Sequence, residues 1–304
     1  MKRETNKIRF GFTLVELLTT LAVIGILLGL LIPALNQVSK TAAKVKQKAQ
    51  FHAIGTALET FRNDYGDYPP SMYNQWGAMT YVTASHHLAE ALVGRDGLGF
   101  HQASQFWSDG KANIDSDVTP DTLYNSAGYT TSDGTPITTA QNLAARKGPY
   151  LELENANAVK LGNIYPVGLA NLNKDAYVLA DMYKIVKNTA TGKEVGMPIL
   201  YYKANKLKIG NDPDPAQWGN NTYNIDDSFL NDMSGNSLGI IGYPAGLHPL
   251  SNQANASIFY NAIANPNFTS PVRPYRAESF LLHSAGPDGL YGTIDDMFNF
   301  DQDN

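Results

Sequence analysis

Apolar residues crowd the front of the chain. After a polar opening with Lys2, Arg3, Lys7 and Arg9 against Glu4, the stretch from Phe12 to Leu35 is apolar except for three threonines and one carboxylate, Glu16. Leu17 to Leu35 runs 19 residues without a charge. At about 1.5 Å per residue, a helix of that length nearly crosses a hydrocarbon core of about 30 Å. Beyond it, Val38, Ala42, Val45, Ala49, Ala53, Ala57, Phe61 and Tyr65 recur in steps of three and four. That spacing puts them on one helical face, with the lysines, Gln47, Gln50 and Glu59 elsewhere. The pattern predicts one helix from about Thr13 to Asn63, roughly 75 Å long. Residues 12–35 would be its membrane segment and 36–66 an amphipathic stalk. Gly25, Gly29 and Pro33 are spaced by four, and Pro33 has no N–H for the carbonyl of Gly29, so the helix should be weakest there. Gly25-x-x-x-Gly29 also permits close helix packing.

At Asp64-Tyr-Gly-Asp-Tyr-Pro-Pro-Ser71 the pattern breaks. Gly66 suits a helix C-cap, and Pro69-Pro70 forbid continuation. The remainder of the chain, 67–304, reads as a globular head. Ser85 to Gly94 predicts a short helix with a Ser cap and a Gly stop. Pro198 to Tyr202 and Ser279 to His283 predict strands, being rich in aromatic and aliphatic residues. Asn255 to Ala264 predicts another small helix. Parts of the segments near 95–146, 152–180 and 206–277 are rich in Asn, Gly, Tyr and Pro, and these segments read as inserted surface loops and small helices.

Glu16 decides what the apolar segment is. A secretory signal peptide has an apolar core of about 7–15 residues and a small-residue cleavage site; this core is longer. A plain membrane anchor explains the length but leaves a carboxylate in oil, where such groups usually have a partner. The hexapeptide Gly11-Phe-Thr-Leu-Val-Glu16 resembles the processing motif of type IV pilins and type II secretion pseudopilins. That resemblance implies cleavage of a leader, 1–11, between Gly11 and Phe12 by a prepilin peptidase, and N-methylation of the new terminal Phe12. Glu16 would then pair with the Phe12 ammonium of a neighbouring copy, relieving its burial only when subunits stack in register. Gly25, Gly29 and Pro33 would serve assembly. The charges do not set orientation, since four lysines, Lys40, Lys44, Lys46 and Lys48, balance the four basic residues before the segment. The resemblance implies a single-pass protein of the bacterial inner membrane with its head in the periplasm.

The family resemblance extends to the turn after the long helix, to Lys147-Gly-Pro-Tyr-Leu151 as the entry to the sheet, and to the C-terminal end. It implies an α+β, type IV pilin-like fold: a long N-terminal helix packed on an antiparallel-sheet head, here with large insertions. The partners it implies are other copies of the chain, minor pseudopilins and an inner-membrane assembly platform. Its function would be a structural subunit of a type II secretion pseudopilus. The alternative is a type IV pilin in adhesion, motility or DNA uptake.

Ser284 to Asp296 carries Gly286, Gly289 and Gly292 among Asp288, Asp295 and Asp296. Three converging carboxylates repel one another without a cation, and calcium takes 6–8 oxygens from carboxylates, carbonyls and water. A solvated turn reads equally well from the residues alone, since Asp and Gly favour turns. The segment resembles the calcium loop of the major type II pseudopilin, which implies Asp288, Asp295 and Asp296 as carboxylate ligands and Ala285 as a backbone ligand. Asp109, Asp115 and Asp117, and Asp212 with Asp214, read as solvated loops.

The formal charge of −5 argues against a nucleic-acid groove. There is no cysteine, so no disulfide staples the head. Gly235-Asn-Ser-Leu-Gly239 matches Gly-x-Ser-x-Gly and keeps a membrane-tethered hydrolase as a remote alternative, but its flanks lack the strand and helix that the chemistry needs. The six histidines form no zinc motif, and His86, His87 and Glu90 read as a surface cluster. The chain is expected not to be an enzyme.

Overall fold

The computed structural model describes residues 13–72, 82–107, 109–112, 121–125, 127–131, 133–165, 173–188, 191–228, 248–251 and 255–301. They fall into two compact units, 1–45 and 46–304.

In the first unit, every described residue after Thr13 belongs to helix α1, Leu14–Tyr65. By length and composition α1 is the one helix among the described residues able to cross a membrane. Its large apolar side chains, from Leu14 through Leu35, are exposed. The helix passes through Gly25, Gly29 and Pro33 without interruption, so the expected weak point is not a break.

The second unit begins with the outer half of α1. Gly66 stops the helix with φ +85, a conformation a side chain rarely adopts, and its N–H reaches the Arg62 carbonyl at 2.7 Å. The buried face differs from the expected apolar stripe. Val38 and Val45 are 64% and 61% exposed. The buried face instead runs through Gln47, Gln50, Phe51, Ile54, Ala57, Leu58 and Phe61. It is rotated because two amides bond to the backbone of one corner. Gln50 Nε2 donates to the Ala180 carbonyl at 2.8 Å, and the Met182 N–H donates to Gln47 Oε1 at 2.8 Å. Each such bond contributes about 1 kcal/mol, and leaving it unmade costs more.

The head is built on one three-stranded antiparallel sheet, with Phe280–Ser284 between Leu200–Lys203 and Met297–Phe298. Leu200 pairs with His283, and His283 with Phe298. All five residues of the central strand are buried. Phe280 approaches Gly55 of α1, while Leu281 joins a core of Leu200, Tyr202, Phe259, Tyr260, Ile263 and Phe298. The other ladders among the described residues have two strands each. Arg146–Lys147 pairs with Phe100–His101, so the stretch from Lys147 does not enter the main sheet. Helix Ala256–Ile263 lies within the expected span.

The inserted segments are not surface loops alone. Val159, Leu161, Ile164, Tyr165 and Val178 belong to the main core, as do Trp218, Tyr223, Ile225 and Phe259. The 95–146 segment is tied down by charge. Glu90 accepts from Arg95 Nε at 2.8 Å, Ser104 Oγ at 2.5 Å and Tyr124 Oη at 3.0 Å. Arg146 Nη1 reaches both Asp96 oxygens at 2.5 and 2.6 Å, and its Nε bonds Asn142 Oδ1 at 3.0 Å.

Helix α2, Ala84–Val93, is buried along its whole length, so His86, His87 and Glu90 are core residues and not a surface cluster. The helix packs on strands Tyr177–Leu179 and Leu200–Lys203. Its cap is Thr83 rather than Ser85, and the Thr83 N–H donates to His86 Nδ1 at 3.0 Å. Burial, then His87 and Arg95, push the His86 pKa down to about 3. The unfolded chain, with an ordinary value near 6.5, therefore takes up this proton more readily. The stability carried by neutral His86 is fully present above that ordinary value and is lost as pH falls toward the folded one. Asp181 and Asp227, raised to about 6 by burial, act in the opposite sense between their ordinary range and that value, in any variant. His86→Gln keeps an acceptor for Thr83 without titrating. Its Tm is expected to fall less than that of the unaltered protein between about pH 7 and about pH 4.5. Equal falls in thermal circular dichroism would remove His86 as the cause.

Candidate functional site

Two places carry the candidate chemistry. At the N-terminus, Gly11 and Phe12 lie outside the described residues. Thr13 and Glu16 are reciprocally bonded. The Thr13 N–H and Oγ1 both donate to Glu16 Oε2 at 2.9 Å, and the Glu16 N–H donates to Thr13 Oγ1 at 3.1 Å. This is a capping box: two amides at the start of α1 that have no intrahelical partner are satisfied by the side chains of a Thr and a Glu three residues apart. The Thr-x-x-Glu spacing was legible in the sequence, and it makes Thr13 part of the site. Both bonds to the carboxylate fall on the same oxygen. Gly25 and Gly29 follow on the helix, and a Cβ at either would meet no atom within 4 Å.

The second place is the loop that continues from the central strand. Gly286 has φ +70, and a Cβ there would stand 2.2 Å from the Asp295 carbonyl oxygen, so only glycine lets the two ends of the loop approach this closely. Asp288 and Asp295 are brought together: the Asp288 N–H donates to Asp295 Oδ2 at 3.0 Å. The Leu290 N–H donates to Asp288 Oδ1 at 2.8 Å, and Thr293 Oγ1 to Asp295 Oδ1 at 2.5 Å. Burial raises the Asp288 pKa, and the charge on Asp295 adds to the rise. Asp296 faces elsewhere. Its Oδ2 takes bonds from His283 Nε2 and the Gly292 N–H, each at 2.7 Å. Its Oδ1 is buried with no hydrogen-bond partner among the described residues. Ala285, the expected backbone ligand, is fully buried at the loop's entry.

The loop is anchored by a residue that no motif marked. Asp181 Oδ2 accepts from Ser284 Oγ at 2.7 Å, and its Oδ1 from the N–H groups of Tyr183 and Met197 at 3.1 Å. Asp181 belongs to the corner that Gln47 and Gln50 fasten to α1. A chain of buried polar bonds thus connects the stalk helix to the start of the loop.

Among the described residues, no three His, Asp or Glu side chains form a group that could hold a metal ion. The loop's own donors are oxygen atoms, the type that a hard cation takes. It brings two carboxylates, Asp288 and Asp295, together, and it holds the third, Asp296, on His283 and the Gly292 N–H instead. Elsewhere, acidic groups act as turn acceptors. Asp109 accepts from the Lys111 N–H at 3.1 Å, Asp212 from the Asp214 N–H at 2.9 Å and Asp214 from the Ala216 N–H at 3.0 Å. Asp115, Asp117 and Gly235–Gly239 lie outside the described residues.

No curated protein and no solved structure matches the chain. The prokaryotic N-terminal methylation motif matches residues 6–32, a span that contains Gly11, Phe12, Thr13, Glu16, Gly25 and Gly29. With it come processing by a prepilin peptidase and pilus-like assembly. The chain carries a type IV pilin-like signal on a single helix able to anchor it in a membrane.

Proposed function

We propose that the chain is a structural, pseudopilin-like subunit of a type II secretion system, made as a precursor and polymerised into a pseudopilus that supports protein export. The observation that carries this reading is the methylation motif set at the start of a helix whose large apolar side chains, Leu14 to Leu35, are exposed among the described residues. Such a helix needs either lipid or other copies of itself around it. Cleavage between Gly11 and Phe12 creates an ammonium, and Glu16 is the acid placed to receive it from a neighbouring copy. The peptidase, minor pseudopilins and an inner-membrane platform are the partners of this scheme, and the head would lie in the periplasm. Its role is structural rather than catalytic. The cysteine-free head and the Asp-Gly loop favour secretion over adhesion, with calcium as a staple of residues 284–296 held by Asp288, Asp295, Asp296 and the Ala285 carbonyl.

Mass spectrometry of the chain purified from bacterial membranes tests the processing step. The expected mature terminus is N-methyl-Phe12. An intact Met1, or a terminus beyond Leu35, would overturn the proposal.

A further inference from the structure

We propose that the groove between the outer half of α1 and the edge strand Met297–Phe298 docks an extended peptide segment of another protein. That segment carries a carboxylate beside apolar side chains and adds to the main sheet as a further strand. The proposal does not depend on the secretion reading. The groove lies within the second compact unit and encloses about 380 Å³, inside the range of about 300–1,000 Å³ that ligand pockets span. Phe51 and Gly55 of α1 line it, with Arg276, Phe280, Phe298 and Phe300.

Three observations describe the occupant. The first is the open strand edge. Met297–Phe298 pairs with Phe280–Ser284 on one side and with no strand among the described residues on the other. The Asn299 N–H donates inward to the Leu282 carbonyl at 3.2 Å. Direction alternates along an antiparallel ladder, so the N–H and C=O of Phe298 point outward from the sheet. The Phe298 ring itself is committed to the core, stacked on His283 at 4.4 Å and on Phe300 at 5.2 Å. An open edge of this kind is completed by an extended chain, whose backbone supplies the matching donors and acceptors.

The second is Gly55. A Cβ there would meet only Phe280 Cζ, at 3.8 Å, which is ordinary contact. The fold therefore has room for alanine, and glycine in a helix interior weakens the helix by comparison. The glycine widens the groove on its helix side, beside Phe51 and Phe280, and gives an incoming apolar side chain a seat. The third is charge. On the rim, Lys48 pairs with Asp301 at 2.5 Å, and Glu59 accepts from Tyr68 Oη at 2.6 Å. Arg276 lies over the Phe280 ring at 5.4 Å and donates to the Asn299 carbonyl at 3.3 Å, and no carboxylate among the described residues pairs with it. A guanidinium fork matches a carboxylate, so an Asp or Glu on the incoming strand is the complementary group.

The test pans a phage-displayed library of short random peptides on the full chain, held monomeric in detergent, and measures the enriched peptides by fluorescence anisotropy. Enriched sequences are expected to alternate apolar residues with Asp or Glu and to lack Pro. Arg276→Gln is expected to weaken their binding about tenfold or more, and Gly55→Met to block it. Methylating alternate backbone nitrogens of a peptide is expected to abolish binding for one set and change it less than about threefold for the other, because only every second N–H of an added strand faces the edge. A library without any peptide sensitive to Arg276→Gln would overturn the proposal, and so would equal binding by both methylated sets. An altered oligomeric state in Gly55→Met with unaltered peptide binding would overturn it too, and would assign the groove to a second copy. Should Gly55→Met fail to fold, Arg276→Gln and the methylated peptides decide the matter.

Discussion

Replacing Glu16 with leucine is expected to abolish filament formation while leaving the Tm of the head unchanged. The structure gives Glu16 one role inside a single chain, as the acceptor that closes the capping box with Thr13. Assembly would give it a second, as the counter-ion for the terminal ammonium of an adjoining copy. The two roles separate by substitution. Glu16→Gln keeps an oxygen for the Thr13 N–H and hydroxyl but carries no charge, whereas Glu16→Leu loses both. If the cap were all that mattered, Glu16→Gln would assemble normally. If the charge matters, neither variant yields filaments, because a neutral amide cannot neutralise an ammonium in a low-dielectric surround. The head contributes nothing to this difference, since Glu16 lies in the first compact unit and the core in the second. Electron microscopy of sheared filaments from cells producing each variant at equal membrane levels is the measurement. Abundant filaments from Glu16→Leu would end the ammonium-pairing scheme.

How much of this was visible in the sequence varies with the kind of signal. The long helix was legible because 19 uncharged residues and a Gly-then-Pro-Pro stop are local features that tertiary context does not alter. Its observed end at Tyr65 lies two residues past the expected one, within the fraying of any helix terminus. The central strand of the main sheet and its neighbour Leu200–Lys203 were legible from their aromatic runs. The inner face of α1 was not. An apolar-versus-polar reading sorts Gln47 and Gln50 to the outside, and only the corner at Ala180–Met182, more than 100 residues away, explains why both are buried. The C-terminal loop divides in the same way. Its glycines and aspartates stand in one short stretch and announced themselves. The residues that hold it, Asp181 and His283, are ordinary in sequence and acquire roles only through folding. The inserted segments read as surface loops and small helices because parts of them are rich in Asn, Gly and Pro. That composition reports turns, and it says nothing of the aromatics between those turns that fill the core.

Glu90→Ala should therefore destabilise the head severely. Its carboxylate is 3% exposed and is shared by a guanidinium, a serine hydroxyl and a tyrosine hydroxyl. Removing one partner of a buried ion pair leaves the other desolvated and uncompensated, a loss of about 3–5 kcal/mol. At roughly 2–4 °C per kcal/mol for a domain of this size, that is a Tm lower by about 6–20 °C. A substitution on a mere surface appendage would stay within about 0.5 kcal/mol. Because Arg95, Ser104 and Tyr124 all lie within the 95–146 segment, the damage should appear there first. Limited proteolysis of Glu90→Ala is expected to cut within 95–146 well below the temperature at which the strands of the main sheet are attacked. Arg146, whose Nη1 bonds both oxygens of Asp96, forms a second tether in the same segment. Loss of both tethers, in Glu90→Ala with Arg146→Ala, should thus exceed either single loss. A Tm for Glu90→Ala within a degree or so of the unaltered protein would return the segment to the status of an exposed loop.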